Sequence, residues 1–566
     1  MKKINFNNFW IVKKIGQYGS FNVTLPHDAM LHEKRSEENI GGKNISWFSG
    51  GDYEYSKTYL FGKDLADSVV YLEFEGIYKD SEIFVNGISV YKRPYGYTNF
   101  FVDITKYLRL GEENNITVAV KNSDQPNSRW YSGSGIYRPV NLYLFPKDHI
   151  LLNSIRVKTV ELKEKLINVN LKTTGEGIVE IGIYDEEKKL VGVSSEQNGE
   201  LNLSLKIPEA QLWDIDSPKL YTLKAKFQSD EQKIRFGIRE VSVNSKTGFL
   251  LNHKRVILQG ACIHHDNGLL GAAGYPYSDK RKARIIKKHG FNSIRSAHNP
   301  ISKAFLDECD EIGLLVVDEY VDMWYVHKTK YDYASHIMQW WKQDLNDMIE
   351  KDFNHPSVIM YSIGNEVSET SEKQGIELTK QMTDYIHQQD DRPVTCGVNI
   401  FFNYLYSLGF GVYTDKKAEK SITDPKKAKA VGSEFFNQLA GKLGDKMMKF
   451  GASLPGSDRK TKQAFSFLDV AGYNYGIMRY KKDVRKYPDR VILGTETFCK
   501  DAKVFIELAK KHPSIIGDFV WAGMDYLGEV GAGSWVSERI TQDYNYGPGW
   551  MSAGSGRIDL IGNPLS

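Results

Sequence analysis

Hydrophobic and polar positions alternate in short runs along the first part of the chain, residues 1–146. Runs such as VVYLEFEGI and NITVAV have a period of two, and Gly, Asn and Asp interrupt them every ten residues or so. This pattern is typical of strands with one buried face, joined in an antiparallel sandwich. Residues 85–87 read VNG, which predicts a hairpin turn by the Asn-Gly rule. By the same local reasoning, the glycine-rich segment NSRWYSGSGIYRP, residues 127–139, is a surface loop.

The second part, residues 147–243, is again all-β. Its strand-like runs include SIRVKTV, LINVNLK, IVEIGIYD, LNLSLKI and YTLKAKF. About seven short strands of this kind suit an immunoglobulin-like sandwich. We interpret this part as a spacer that orients its neighbours.

After residue 243 the pattern changes to alternating strands and helices, up to residue 566. Amphipathic helical stretches such as DKRKARIIKKHG and AKVFIELAKKH separate most of the strand-like runs. Eight strand-then-helix units predict a (β/α)8 TIM barrel, in which chemistry gathers at the carboxyl ends of the strands. The eight runs are RVILQGACI, FNSIRSA, LLVVDEY, SVIMYSIGNE, PVTCGV, LDVAGYNY, RVILGTE and IIGDFVWAG.

The fourth run delivers a carboxylate to the barrel mouth. Its apolar residues 357–363 are typical of a buried strand, and Gly364 ends it so that Asn365 and Glu366 emerge at its carboxyl end. The third run ends in Asp318 and Glu319, so position alone does not select a catalytic pair. Each polar residue alone could be structural, whereas a set at eight successive ends indicates a site. The set comprises His264, His265, Asp266, Arg295, His298, Asn299, Asp318, Glu319, Asn365, Glu366, Asn399, Asn474, Tyr475, Glu496, Trp521 and Asp525.

Composition excludes several classes of protein. The chain has 566 residues, of which 41% are hydrophobic and 26% charged, and its formal net charge is +3. This composition is typical of a globular protein, and so small a net charge does not indicate binding to nucleic acid. No run of about 18 apolar residues occurs, so no membrane span is expected. The N-terminus lacks a signal-peptide core, and four widely spaced cysteines without a CxxC motif predict buried free thiols. We expect a cytoplasmic protein.

An insertion at residues 403–467 interrupts the alternation. Its flanks are basic and its middle is apolar, which fits a helical excursion packed on the barrel. A loop after the fifth strand leaves from the active-site face, so a lid or a subunit contact is the alternative, and a homo-oligomer is left open. The apolar residues are Phe435, Phe436, Leu439, Leu443, Met447, Met448 and Phe450.

Several motifs together resemble one enzyme family. In chain order they are LPHDAML, RWYSGSGIYRPV, LWDIDSPKLYTL, GACIHHDNG, IRSAHNP, FNHPSVIMYSIGNE, DVAGYNYG and ILGTETF. The chain thus resembles glycoside hydrolase family two, the β-galactosidases, β-glucuronidases and β-mannosidases, over nearly its whole length. The resemblance implies a jelly-roll sugar-binding domain at 1–146, an immunoglobulin-like domain at 147–243 and a catalytic TIM barrel at 244–566.

The resemblance also implies roles for individual residues. The family's acid/base falls on Glu366 and its nucleophile on Glu496. The positions expected to bind substrate are His264, His298, Asn365, Asn474, Tyr475 and Trp521 in the barrel, and Arg129 and Trp130 in the loop that the first domain sends into the barrel mouth.

The chemistry fits these positions. Retaining glycoside hydrolysis needs two carboxyl groups about 5–5.5 Å apart, one protonated and one ionised, and the fourth and seventh strands of one barrel can supply them. Their proximity is expected to raise the pKa of the acid. Tyr475 is expected to bond Glu496, and Asn365 to bind the 2-hydroxyl of the sugar. This chemistry requires neither a metal nor a cofactor.

The sugar is the open question. The family's glucuronidases carry an Asn-x-Lys element after the eighth strand, and residues 528–566 contain none. This favours galactose, with a β-glucuronidase as the alternative because Arg539 or Arg557 could replace the missing cation. A non-catalytic carbohydrate-binding protein is the alternative from another class. The chain ends soon after the eighth strand, whereas many relatives continue into further β domains.

Overall fold

Two antiparallel sheets enclose the core of the first domain. The computed structural model describes residues 1–186, 188–420, 446–532 and 547–565. One sheet has the strand order β1-β10-β5-β8 and the other β3-β2-β4-β9-β6-β7. The strands are β1 Lys2–Asn5, β2 Trp10–Lys14, β3 Phe21–Val23, β4 Gly51–Leu60, β5 Ser68–Phe74, β6 Ser81–Val85, β7 Ile88–Arg93, β8 Phe100–Asp103, β9 Glu113–Asn122 and β10 Val140–Pro146.

Of the two local predictions for this domain, one is confirmed and one is wrong. The hairpin is confirmed: Asn86 and Gly87, with φ of 52° and 80°, join β6 to β7 as the Asn-Gly rule requires. The surface-loop interpretation of residues 127–139 is wrong, because every residue of this segment is buried. The segment lies against the third domain, where Trp130 forms a bridge with Gly528.

The described residues of the second domain form five strands in one sheet, and the expectation of about seven short strands is wrong. The strands are β11 Arg156–Glu161, β12 Leu166–Asp185, β13 Lys188–Lys206, β14 Tyr221–Phe227 and β15 Asp230–Phe236. The runs LINVNLK and IVEIGIYD form one strand, because the glycines between them mark a shift in register and not a turn. Gly177, with φ of 147°, continues the strand.

Eight parallel strands close into a barrel in the third domain, as the alternation predicts. A small sheet, β16 Val241–Asn244, β17 Gly248–Leu251 and β18 Lys254–Arg255, precedes it. All eight residues of the fourth barrel strand are buried, as expected of a strand covered on both faces. The barrel strands are β19 Leu258–Ile263, β20 Ser293–Ser296, β21 Leu315–Glu319, β22 Val358–Asn365, β23 Val394–Asn399, β24 Val470–Asn474, β25 Ile492–Phe498 and β26 Ile515–Trp521, and a short pair follows at β27 Tyr526–Leu527 and β28 Ser552–Ala553.

Helices surround the barrel, and none of those described is long and apolar enough to cross a membrane. Ser302 caps the second helix by accepting a hydrogen bond from the Phe305 N–H, as helix starts require. The helices are α1 Pro276–Lys288, α2 Lys303–Ile312, α3 Ala334–Asp352, α4 Lys373–His387, α5 Ile400–Ser407, α6 Asp415–Lys420, α7 Lys446–Ala452, α8 Pro455–Phe465, α9 Tyr480–Lys486 and α10 Ala502–Lys511.

Part of the insertion at 403–467 is described, as helices α5 to α8. Met448 is buried in a small cluster with Phe402, Val412 and Tyr413, whereas Phe450 is 60% exposed. Four of the apolar residues named above, Phe435, Phe436, Leu439 and Leu443, lie outside the described residues, as does Arg539. The lid and subunit-contact interpretations stay predictions.

A buried ion pair joins the first domain to the barrel. Arg93 is fully buried, and its guanidinium contacts Asp344 at 2.8 Å and also Asp347, both on α3. Tyr320 and Tyr333 donate further hydrogen bonds to Asp344, each of 2.6 Å. Because an unpaired buried charge is costly, these contacts fix the position of the first domain.

We predict that Arg93→Met lowers the free energy of unfolding by about 3–5 kcal/mol, because it leaves the buried carboxylate of Asp344 and the 10% exposed carboxylate of Asp347 without their cation. Urea denaturation followed by fluorescence measures the change. Lys206→Met is the control, since Lys206 and Glu164 pair at 3.0 Å on the surface and such pairs contribute under about 1 kcal/mol. Equal effects of the two substitutions would contradict the role given to Arg93.

Candidate active site

Two carboxyl groups lie in the barrel mouth, on the fourth and seventh strands. Glu366 directly follows β22, and Glu496 lies in β25; they are 7% and 4% exposed. Glu366 has a φ of 45°, a left-handed conformation that is costly for a residue with a side chain. Its N–H donates to the carbonyl of Gly397 on β23 at 2.6 Å. The barrel therefore fixes both carboxyl groups from its strands.

The two carboxyl groups have different neighbours. Glu366 accepts hydrogen bonds from two neutral amides, Asn399 at 2.9 Å and Asn474 at 3.4 Å. Glu496 accepts from the guanidinium of Arg295 at 3.0 Å. Burial and the charge of Glu496 raise the pKa of Tyr475 well above its usual range, and the expected bond from Tyr475 to Glu496 stays a prediction. A cation favours the ionised form of a carboxyl group, so the guanidinium beside Glu496 favours a negative charge there.

Burial, and then the charge of Glu366, raises the pKa of Glu496 to about 8. The sequence-based expectation placed the raised pKa on the acid of the pair. The guanidinium of Arg295 acts in the opposite direction, since a nearby cation lowers the pKa of a carboxyl group.

The acids of the third strand have structural roles. Glu319 is fully buried and accepts from Arg295 at 2.6 and 2.9 Å and from Ser362 at 2.6 Å. It also contacts Nδ1 of His298 at 2.7 Å. Asp318 contacts the Lys351 ammonium at 2.9 Å. Glu319 thus orients the groups that face Glu496, and its own oxygens are used by Arg295, Ser362 and His298.

His298 is a neutral imidazole of defined orientation. Burial lowers its pKa well below the usual range. Because Glu319 accepts the Nδ1–H, Nε2 is left as an acceptor, and it receives a hydrogen bond from Asn365 at 3.2 Å. Nε2 lies 3.6 Å from the Glu496 carboxylate.

Asn365 connects these groups. Its amide nitrogen donates to His298 at 3.2 Å and to Asp322 at 3.0 Å. Its carbonyl oxygen accepts from Arg295 and from Asn474, each at 3.0 Å. All four of its hydrogen-bonding positions are used by the protein, so a sugar hydroxyl would have to replace or share one of them. Its predicted contact with the 2-hydroxyl stays a prediction.

The loop of the first domain reaches the site as expected. Arg129 forks onto Asp322 with bonds of 2.8 and 2.7 Å, and it also contacts Glu529 at 3.3 Å. Trp130 beside it packs on the rings of His264 and His298, with centroids 5.0 and 5.6 Å away. This loop therefore forms one wall of the mouth.

Aromatic rings and an unpartnered histidine form the rest of that wall. Trp521 stacks parallel to His298 at 5.3 Å. His264 is 4% exposed, and neither of its ring nitrogens has a hydrogen-bond partner within the part of the chain that is described. Burial lowers the pKa of His264 well below its usual range, so its ring is neutral. A neutral buried imidazole of this kind is suited to a sugar hydroxyl.

Sequence reasoning missed two residues of the site, Asp322 and Lys328. Both lie in the loop after β21, beyond the strand end at Glu319. Lys328 donates to Asp322 at 2.9 Å and to the carbonyl of Asn365 at 2.7 Å. The only available signal was the rule that the loops after barrel strands carry function, which does not identify positions within a loop.

The sequence matches three models of one family. They are the family 2 glycosyl hydrolase sugar-binding domain at residues 45–146, a further family 2 domain at 151–239 and the family 2 TIM barrel domain at 241–435. With the described strands, these matches confirm the predicted fold class of jelly-roll, immunoglobulin-like and TIM-barrel domains.

Curated relatives carry two enzyme names. The chain is 32% identical to "Beta-galactosidase BoGH2A" of Bacteroides ovatus, over 96% of this chain and 67% of that protein. It is 34% identical to a "Putative beta-glucuronidase" of Formosa agariphila, over 64% of this chain and 37% of that protein. The chain thus spans about two thirds of the first relative and a little over a third of the second.

A solved structure agrees over the whole chain. A family 2 glycosyl hydrolase of Bacteroides cellulosilyticus superposes with a TM-score of 0.83 at 30% identity. The alignment covers 100% of this chain and 70% of that one. The likeness extends through all three domains.

We predict that Glu366→Gln lowers the pKa of Glu496, because it removes a neighbouring negative charge that opposes ionisation. NMR titration of the protein labelled with ¹³C at the glutamate carboxyl carbons measures the change. Glu377→Gln, an exposed change on α4, should leave the titration unaltered. An unchanged Glu496 titration in Glu366→Gln would show that the two groups are not coupled.

Proposed function

The chain belongs to glycosyl hydrolase family 2, and on that basis we propose that it is a retaining exo-β-galactosidase. The observation that carries the proposal is the unequal setting of two buried carboxyl groups. Glu496 is held by a cation, and Glu366 is held by amides. Retaining hydrolysis needs this division between an ionised nucleophile and a protonated acid.

The reaction proceeds in two steps. In the first, Glu496 attacks the anomeric carbon while Glu366 gives its proton to the leaving oxygen, so that a glycosyl-enzyme forms and the alcohol departs. Consumption of the negative charge on Glu496 then favours ionised Glu366. In the second, Glu366 takes a proton from water, the water oxygen attacks the anomeric carbon, and Glu496 leaves as a carboxylate.

The first domain supports action at chain ends. Arg129 and Trp130 lie against Asp322 and His264, so they close one side of the mouth with buried side chains. A mouth closed on one side is a pocket for a terminal sugar and not a groove for a continuing chain. This is the basis for proposing exo-hydrolysis.

The charges of the mouth favour a neutral sugar. Each of the three buried cations described near the catalytic carboxyls already contacts a carboxylate: Arg295 contacts Glu319 and Glu496, and Arg129 and Lys328 both contact Asp322. A uronic acid would bring another anion into this balanced set. Arg557 is exposed. The β-galactosidase name of the Bacteroides ovatus relative supports the same choice.

Several further properties stay predictions. We infer a cytoplasmic location from the four cysteines, which are free and of which Cys262, Cys309 and Cys396 are buried. A homo-oligomer and the domain limits at 146 and 243 are likewise inferences from the sequence. The non-catalytic alternative is disfavoured, because a protein that only bound sugar would have no need for a cation on Glu496.

We predict that the protein hydrolyses nitrophenyl β-galactoside faster than the β-glucuronide or the β-mannoside. The reason is that the buried cations of the pocket are already paired with carboxylates of the protein. Initial rates at equal substrate concentration measure this. Glu496→Ala, which removes the nucleophile, is the control and should lose nearly all turnover. Activity on the glucuronide alone would overturn the choice of sugar, and full activity of Glu496→Ala would overturn the mechanism.

We predict that kcat/KM on a dinitrophenyl glycoside, whose leaving group needs no proton, falls as the pH drops through about 8. Burial and the charge of Glu366 raise the pKa of Glu496 to about 8, and only the ionised carboxylate attacks the anomeric carbon. The pH–rate profile measures this acid limb. Glu366→Gln should move the limb to lower pH, because it removes the charge that opposes ionisation of Glu496. A limb that stays at the same pH in that variant would refute the assignment.

A further inference from the structure

The peptide that joins Asn365 to Glu366 is held at both ends. Its N–H, which belongs to Glu366, donates to the Gly397 carbonyl at 2.6 Å. Its carbonyl, which belongs to Asn365, accepts from the Lys328 ammonium at 2.7 Å. Together these bonds fix the rotation of the peptide plane, and with it the left-handed φ of 45° at Glu366.

This conformation needs such support. A non-glycine residue with positive φ is strained, so this conformation persists only where surrounding contacts over-determine it. The direction in which the Glu366 carboxyl points depends on that backbone conformation. A group that fixes the peptide therefore fixes the acid.

Lys328 is built into its position. Its side chain is 2% exposed, and its charge is balanced by Asp322 at 2.9 Å. The ammonium also lies 4.8 Å from the centre of the Tyr413 ring. The backbone of its loop is tied down, since the N–H groups of Lys328 and Thr329 both donate to Asp332, at 2.7 and 2.8 Å. Few of its degrees of freedom remain, as a positioning role requires.

We propose that Lys328 is a positioning residue for the acid/base Glu366, acting through the carbonyl of Asn365. The proposal rests on the function proposed above for Glu366. Without the ammonium, the peptide is held only at its N–H end. The Glu366 carboxyl group is then no longer aligned with the leaving oxygen. Asp322 keeps its two bonds from Arg129, so loss of Lys328 does not leave a buried carboxylate unpaired.

The test compares two leaving groups on the sugar that the wild type hydrolyses. A phenyl glycoside needs protonation of its leaving oxygen, whereas a dinitrophenyl glycoside does not. Lys328→Met should lower kcat/KM for the phenyl glycoside by about 10²-fold, within the range that general acid catalysis contributes, and for the dinitrophenyl glycoside by less than about tenfold. The ratio of kcat/KM reports the first chemical step, and partial unfolding lowers both rates alike.

Two further variants make the result decisive. Lys330→Met, two residues away on the same loop and paired with exposed Glu419, should behave as wild type. Glu366→Ala should lower kcat/KM for the phenyl glycoside more than Lys328→Met does, while kcat/KM for the dinitrophenyl glycoside changes little. If Lys328→Met loses both substrates equally, or loses neither, while Glu366→Ala is selective, the inference about Lys328 is wrong and the proposed function stands. If Glu366→Ala is not selective, the acid role itself fails, and the inference fails with it.

If Lys328→Met does not fold, as judged from its thermal unfolding midpoint, Lys328→Gln provides the same comparison. Glutamine keeps an amide donor but is shorter and uncharged, so it cannot restore the ammonium contact. The same selective loss is expected, and equal loss on the two substrates again overturns the proposal.

Discussion

The site depends on one fully buried guanidinium, that of Arg295 on the second barrel strand. It contacts Glu319 on the third strand, Asn365 on the fourth and Glu496 on the seventh. An isolated charge this deep would cost several kcal/mol, so the carboxylates around it are required for the fold as well as for chemistry. The same contacts fix the position of the Glu496 carboxyl group at the mouth of the barrel.

A second charged cluster joins the domains. Asp322 receives Arg129 from the first domain and Lys328 from the loop beside it. Asn365 contacts both Asp322 and Arg295, so the two clusters share one amide side chain. Glu496, Asn365 and the loop that carries Arg129 therefore belong to a single network of bonds, in which displacement of one member disturbs the others.

The sequence predicted most of the frame and part of the site. Barrel strands covered on both faces leave long apolar runs, so all eight strands and the carboxyl groups at their ends could be located. The network around Glu496 could not, because periodicity does not show that Glu319 turns inward to Arg295 while the adjacent Asp318 turns to Lys351. Asp322 and Lys328 lie in an aperiodic loop. The sequence pattern split the long strands of the hairpin β12–β13 into shorter strands. The reason is that a glycine at a register shift resembles a glycine in a turn.

The contact of Arg129 and Trp130 with the barrel restricts how this site can vary. Glu366 and Glu496 lie in or directly after barrel strands, nearly all of whose residues are buried and therefore constrained. The wall of the mouth comes from a loop of another domain, but this loop is itself buried and is bonded to Asp322. A change in the first domain that alters the pocket therefore has to keep these bonds, so the two domains vary together.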